Sequence, residues 1–164
     1  MALDRTDGYL QFSGNLGYVH PHYSSFRLNA TAAGDIANTP GVRYSNLTRW
    51  TYNLAADYTF LPMDFGTLSA RVNWSHRGLR YSGVNSLPTN FVEQVRDPGY
   101  DDVSAQITLA DIPISALSGK ATLAVYGANL LNEHPVLQGT DLGTYGVKLF
   151  GPGRSFGVSL TTGF

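Results

Sequence analysis

Apolar and polar residues alternate along much of this chain with a period of two. In the final stretch, FGVSLTTGF, Phe156, Val158, Leu160, Thr162 and Phe164 share one face, and Gly157, Ser159, Thr161 and Gly163 share the other. That division predicts a strand lying between an apolar and a wet environment. Five more stretches alternate in the same way. About Gly8 to His20, Leu10, Phe12, Leu16 and Tyr18 oppose Gln11, Ser13 and Asn15. About Leu47 to Phe60, Trp50, Tyr52, Leu54, Ala56, Tyr58 and Phe60 oppose Arg49, Thr51, Asn53, Asp57 and Thr59. About Thr67 to Tyr81, Leu68, Ala70, Val72 and Trp74 oppose Ser69, Arg71, Asn73 and Ser75. About Asp102 to Ala110, Val103, Ala105, Ile107 and Leu109 oppose Ser104, Gln106 and Thr108. The stretch Lys120 to Leu130 also reads as a strand, although Tyr126 and Asn129 blur its two faces.

Charge placement narrows the surroundings of these strands. Arg49, Asp57, Arg71 and Asp102 all fall on polar faces, and the apolar faces of the second, third, fourth and terminal strands carry no charge in their central stretches. A lipid-facing Arg or Lys at the bilayer midplane costs roughly 2–4 kcal/mol, so a membrane wall requires this segregation. A soluble core produces the same alternation, and the aromatics separate the two cases. In the second strand Trp50 and Tyr52 stand at one end, Tyr58 and Phe60 at the other, and Leu54 and Ala56 between them. This is the arrangement expected of two interfacial girdles.

The connections alternate in length. Leu61 to Phe65 and Asp111 to Gly119 are short and carry Pro62 or Pro113 as turn chemistry. Tyr23 to Asn46, Ser82 to Tyr100 and Leu131 to Gly153 are long and rich in Gly, Pro, Asn, Ser and Thr. Short turns on one rim and long loops on the other are expected of an outer-membrane barrel. The expected fold class is therefore all-β, an antiparallel up-and-down transmembrane barrel segment of six strands. Single-chain barrels start at about eight strands, and an open edge in lipid leaves backbone groups unpaired. More chain or more copies are thus expected to complete the wall.

Composition agrees without deciding. Ten Tyr, 8 Phe and 18 Gly favour strands and turns. A net charge of -1 gives no reason to expect nucleic acid. The absence of Cys excludes disulfides, thiolate metal sites and Cys nucleophiles within these residues. The N-terminal residues MALDRTDGYLQF place charges where an export signal needs an apolar core, so the expectation is that such a signal was removed or lies upstream.

The stretch GANLLNEHP from Gly127 to Pro135, followed by a long loop and then GPGRSFGVSLTTGF, resembles the C-terminal end of TonB-dependent receptors. There an N-L-x-D/N motif caps the penultimate strand, and an aromatic-ended strand closes a 22-stranded barrel. Asn129, Leu130 and Asn132 match the motif, with Asn132 where Asp is more usual and His134-Pro135 where an aromatic is common. Leu10 to Tyr23 also resembles the family's strand pattern, and the likeness covers nearly the whole chain, as strands 17 to 22. The resemblance implies an outer-membrane receptor of a Gram-negative bacterium that takes up a scarce large nutrient. A ferric siderophore or other metal chelate, cobalamin or a glycan would be its substrate. It also implies outer-membrane lipid around the barrel and energy from the TonB complex, engaged through a plug domain and TonB box that these residues do not contain. The barrel-assembly machinery would read the strand ending at Phe164.

Candidate chemistry is sparse. His20 and His22, without a third ligand nearby, read as a strand end rather than a metal site. Arg49, Arg71 and Arg77 are either an anion-guiding stripe or partners of Asp57, Asp102 or plug carboxylates. Tyr126 and Asn129 are expected to serve the strand end rather than touch ligand. Gly78 to Gly83 has phosphate-loop spacing but is followed by Val84 and Asn85, and Phe156 replaces the third glycine of a dinucleotide fingerprint after Gly151 and Gly153. No G-x-S-x-G or H-E-x-x-H occurs. An outer-membrane lipase would need a Ser and a His on the barrel's outer face, and His76 is the sole strand candidate, with no evident partner. The chain is therefore not expected to be an enzyme, and no catalytic, cofactor-binding or metal residue is assigned. A small oligomeric outer-membrane pore and a soluble β-barrel or sandwich binding protein remain the alternatives.

Overall fold

The computed structural model describes residues 8–22, 24–25, 44–81, 92–114, 119–142 and 144–163. Phe164, residues 115–118, and most of the first two long connections, at 26–43 and 82–91, lie outside the described residues. The elements run β1 Tyr9–Tyr18, β2 Trp50–Thr59, β3 Thr67–Arg77, α1 Val92–Val95, β4 Tyr100–Ile114, β5 Gly119–Ala128, β6 Val136–Asp141, β7 Gly146–Phe150 and β8 Ser155–Gly163. The fold is all-β apart from the single turn α1. No helix among the described residues is long and apolar enough to cross a membrane.

Six strands form one antiparallel sheet in the order β1-β2-β3-β4-β5-β8, and β6 and β7 form a separate hairpin. The register joins the apolar sets of all six strands. One row reads Phe12, Ala56, Val72, Ala105, Gly127, Phe156, and the next reads Leu10, Tyr58, Ala70, Ile107, Val125, Val158. On the opposite face a row runs Gln11, Asp57, Arg71, Gln106, Tyr126, Gly157. Because strand side chains repeat every two residues, a slip of one position in any strand would exchange these faces. The matched rows are thus what specifies the register. Trp50, Leu54, Val72, Ile107 and Leu160 lie on the apolar face, and Arg71, Asn73 and Gln106 lie on the other.

The sheet has no core of its own. Among the described residues the buried apolar side chains are Ala55, Val95, Ala121 and Val136. Phe12, Leu16, Phe156, Val158 and Leu160 are 67–75% exposed. No second layer of described residues covers the apolar face.

Three expectations need correction. The stretch Asp111 to Gly119 is not all turn, because β4 continues to Ile114 and pairs Pro113 with Lys120. The register shifts between Leu109 and Ile112, and Asp111 adopts φ 57, so a bulge absorbs the proline that suggested a turn. Leu131 to Gly153 is not all loop, since it contains the β6–β7 hairpin. The third strand ends at Arg77 rather than Tyr81, with Arg80 and Tyr81 forming isolated bridges to Asp97 and Ser45.

Candidate functional site

Three groups of side chains organise the long-loop end and the two faces of the sheet. At the junction of β5 and β8, the motif residues form a clamp. Asn129 takes φ 51, a left-handed conformation that Asn tolerates better than most residues. Its Nδ2 donates to the carbonyls of Glu133 at 2.7 Å and Pro152 at 3.1 Å. Its Oδ1 accepts from the Glu133 amide at 3.0 Å. Asn132, with φ 56, accepts the Arg154 amide on Oδ1 at 3.0 Å. The Leu130 amide donates to Val103 O at 2.7 Å, which ties the same turn to β4. Asn129 therefore has the strand-end role expected of it, and three strand ends meet at one short segment.

On the polar face Arg71 donates to Asp57 at 3.1 Å, and Asn53 donates to Asn73 at 2.9 Å. Tyr126 also belongs to this face, and its ring lies over Gly157, where any Cβ would collide with it. A glycine opposite a large ring is a mortise for it, so Tyr126 helps fix the β5–β8 pairing. A shallow recess beside it is lined by Arg71, Asn73, Ser104 and Gln106. Arg71 thus pairs with Asp57, one of the carboxylates expected to neutralise it. Arg77 instead meets Asp97, a partner missed in the sequence.

Asp97 anchors the third group. It is fully buried, forms ion pairs with Arg77 and with Arg80, the latter at 3.4 Å, and accepts the Gly99 amide at 3.1 Å. Arg77 also lies over the Tyr100 ring at 4.7 Å. Arg80 donates onward to the carbonyls of Val136 at 3.2 Å and Leu137 at 3.3 Å. The network therefore ties the end of β3 to the β6–β7 hairpin. Val95 of α1 and Val136 are both 3% exposed, and Gly139 lets the backbone of Val95 approach where a Cβ would not fit.

Aromatics mark both ends of the apolar face. At the long-loop end Tyr18 packs on Trp50 at 4.4 Å, and Tyr52 meets Trp74 edge-on at 5.1 Å and stacks on His76 at 4.5 Å. At the short-turn end Tyr58 and Phe60 meet edge-on at 4.6 Å. His20 stacks near Tyr18 at 6.5 Å, as part of the strand end.

His76 does have a partner, contrary to the reading of the sequence. Asp101 Oδ1 accepts from His76 Nδ1 at 3.0 Å and from Trp74 Nε1 at 2.9 Å. The carboxylate fixes the imidazole with its proton on Nδ1. The missed signal was Asp101 itself, two residues before Val103 in the period of two, which the expected start at Asp102 left out. No family model, curated protein or solved structure matches the chain.

Proposed function

We propose that this chain forms six adjacent strands of an outer-membrane β-barrel, and specifically the C-terminal part of the 22-stranded barrel of a TonB-dependent receptor. The observation that carries the membrane reading is the apolar face, in register across six strands, uncovered, and bounded at each end by aromatic rings. From Trp50 to Phe60 the chain rises roughly 33 Å at about 3.3 Å per residue. At a tilt of about 35–45° that projects to roughly 23–27 Å, close to the apolar band of about 25 Å in such barrels. A sandwich would need a second layer on this face.

The receptor reading rests on the Asn129–Asn132 clamp leading into β8. In it, the polar face of Arg71, Asn73, Gln106 and Tyr126 lines the lumen, and the long connections lie on the cell exterior. The nutrient, a metal chelate, cobalamin or a glycan, is moved by the whole receptor with the TonB complex; this chain contributes wall and outer loops. Among the described residues no strand pairs with the outer edges of β1 and β8, which favours, as a second reading, several copies sharing one barrel.

Single cysteines at Leu54 and Asn73, on opposite faces of neighbouring strands, test the membrane reading in the folded full-length protein in bilayers. A membrane-impermeant thiol reagent is expected to modify the Asn73 position and spare Leu54. Strong labelling at Leu54 with none at Asn73 would sink it.

A further inference from the structure

Of the three arginines on the polar side of the strands, Arg71 meets Asp57 and Arg77 meets Asp97, whereas the Arg49 side chain has no acidic partner and no hydrogen bond among the described residues. Arg49 is exposed, so its guanidinium is open to an incoming group. The pairing runs one position past β1 and β2, because the Val19 amide donates to Arg49 O at 2.9 Å and the Gly78 amide donates to Trp50 O at 3.0 Å. With a period of two, Leu47 and Arg49 therefore follow Thr51, and Leu79 follows Arg77, on the polar face. That face changes character at its long-loop end. Pro21, Leu47 and Leu79 bring apolar surface to it, and with Tyr44, Tyr81 and Arg49 they line a cavity of about 380 Å³.

Small-molecule sites are concavities of about 300–1,000 Å³ with mostly apolar and aromatic walls and a few placed polar groups, and this cavity has that size and make-up. We propose that it binds a small organic anion with a flat apolar body, an aromatic carboxylate. The carboxylate meets the Arg49 guanidinium, whose fork of donors matches two oxygens at once. The ring lies against Leu47, Leu79 and the two tyrosines, where it removes apolar surface from water. A neutral analogue of the same shape keeps the apolar contacts and loses the charge-assisted bonds. The site rests on the reading of the polar face as the lumen wall and gives that wall a ligand class.

The test is calorimetric titration of the full-length protein in nanodiscs with naphthoate and with the neutral naphthylmethanol, empty nanodiscs supplying the lipid background. Naphthoate is expected to bind about tenfold more tightly than the alcohol, as a charge-assisted hydrogen bond implies. Arg49→Gln should bring the two affinities together, and Arg49→Lys should restore part of the preference. Leu79→Trp, which fills the cavity and leaves the guanidinium, should weaken both ligands, so the site stays testable even if the Arg49 variants do not fold. Equal affinities in the unaltered protein overturn the site, as do an undiminished preference in Arg49→Gln, unchanged binding in Leu79→Trp, or no binding of naphthoate above the lipid background. Each of these leaves the membrane reading to the labelling of Leu54 and Asn73. Labelling that placed Asn73 in lipid would turn the cavity toward the bilayer and overturn the site together with that reading.

Discussion

Asn129 Nδ2 donates to the Pro152 carbonyl at 3.1 Å, joining the end of β5 to the approach to β8 across 23 positions of sequence. The bond spans the base of the β6–β7 insertion. It fixes where β8 begins and hence its register against β5, whatever the hairpin above it does. This gives the N-L-x-N stretch a physical reason to precede the last strand.

Replacing Asn129 by Ala removes the bonds to Glu133 O, Pro152 O and the Glu133 amide, and places a Cβ residue without a compensating side chain at φ 51. Three bonds at about 1 kcal/mol each and a left-handed penalty of about 1 kcal/mol predict a loss of about 2–4 kcal/mol. Gly tolerates the dihedral but not the loss of bonds, so Asn129→Gly should be about 1 kcal/mol more stable than Asn129→Ala. Denaturant unfolding of the detergent-folded protein checks the order, and equal midpoints would remove the backbone part of this account.

The two faces predict opposite responses to the same charge. Leu54→Arg places a guanidinium on the apolar face, and if that face meets lipid as proposed, a central position there costs about 2–4 kcal/mol. Asn73→Arg places it among Asn53, Arg71 and Ser75 on the polar face and should cost under about 1 kcal/mol. Folding yield into lipid vesicles, compared for both variants, is the measurement. Similar yields would contradict the assignment of faces.

Much of the sheet was legible because Trp50 to Phe60 and Leu68 to Trp74 each carry a clean period of two, and that period survives any error at the strand ends. The β6–β7 hairpin was not legible. Its short strands VLQGTD and GVKLF alternate weakly, and Gly139 is buried against the distant Val95 rather than by a pattern of its own. Pro113 pointed to a turn because the bulge that accommodates it depends on the pairing with β5. The Asp97 network was hidden for a similar reason. Asp97 itself lies 20 and 17 residues beyond its partners Arg77 and Arg80, in a connection whose polar composition resembles any exposed loop.

Tyr126 and Gly157 should behave as a coupled pair. A methyl at position 157 collides with the Tyr126 ring, so Gly157→Ala is expected to cost about 1–3 kcal/mol through displacement of that ring. Tyr126→Ala removes the obstacle, and the double variant should be less destabilised than the sum of the two single changes by at least about 0.5 kcal/mol. A double-mutant cycle in denaturant checks it; strict additivity would mean that the ring moves aside freely.

Asp97 holds two guanidinium groups, so the two ends of the network should respond unequally. Asp97→Ala leaves Arg77 and Arg80 facing each other without their shared anion, and breaking a buried pair from one side costs about 3–5 kcal/mol. Arg80→Ala removes the donors to Val136 and Leu137 but leaves Asp97 paired with Arg77, so about half that loss is expected, confined to the hairpin. Limited proteolysis locates the effect. Cleavage near Leu142 should accelerate in both variants, while cleavage within the paired strands β2 to β4 stays slow. Faster cleavage in Arg80→Ala than in Asp97→Ala would show that the carboxylate is not the centre of the network.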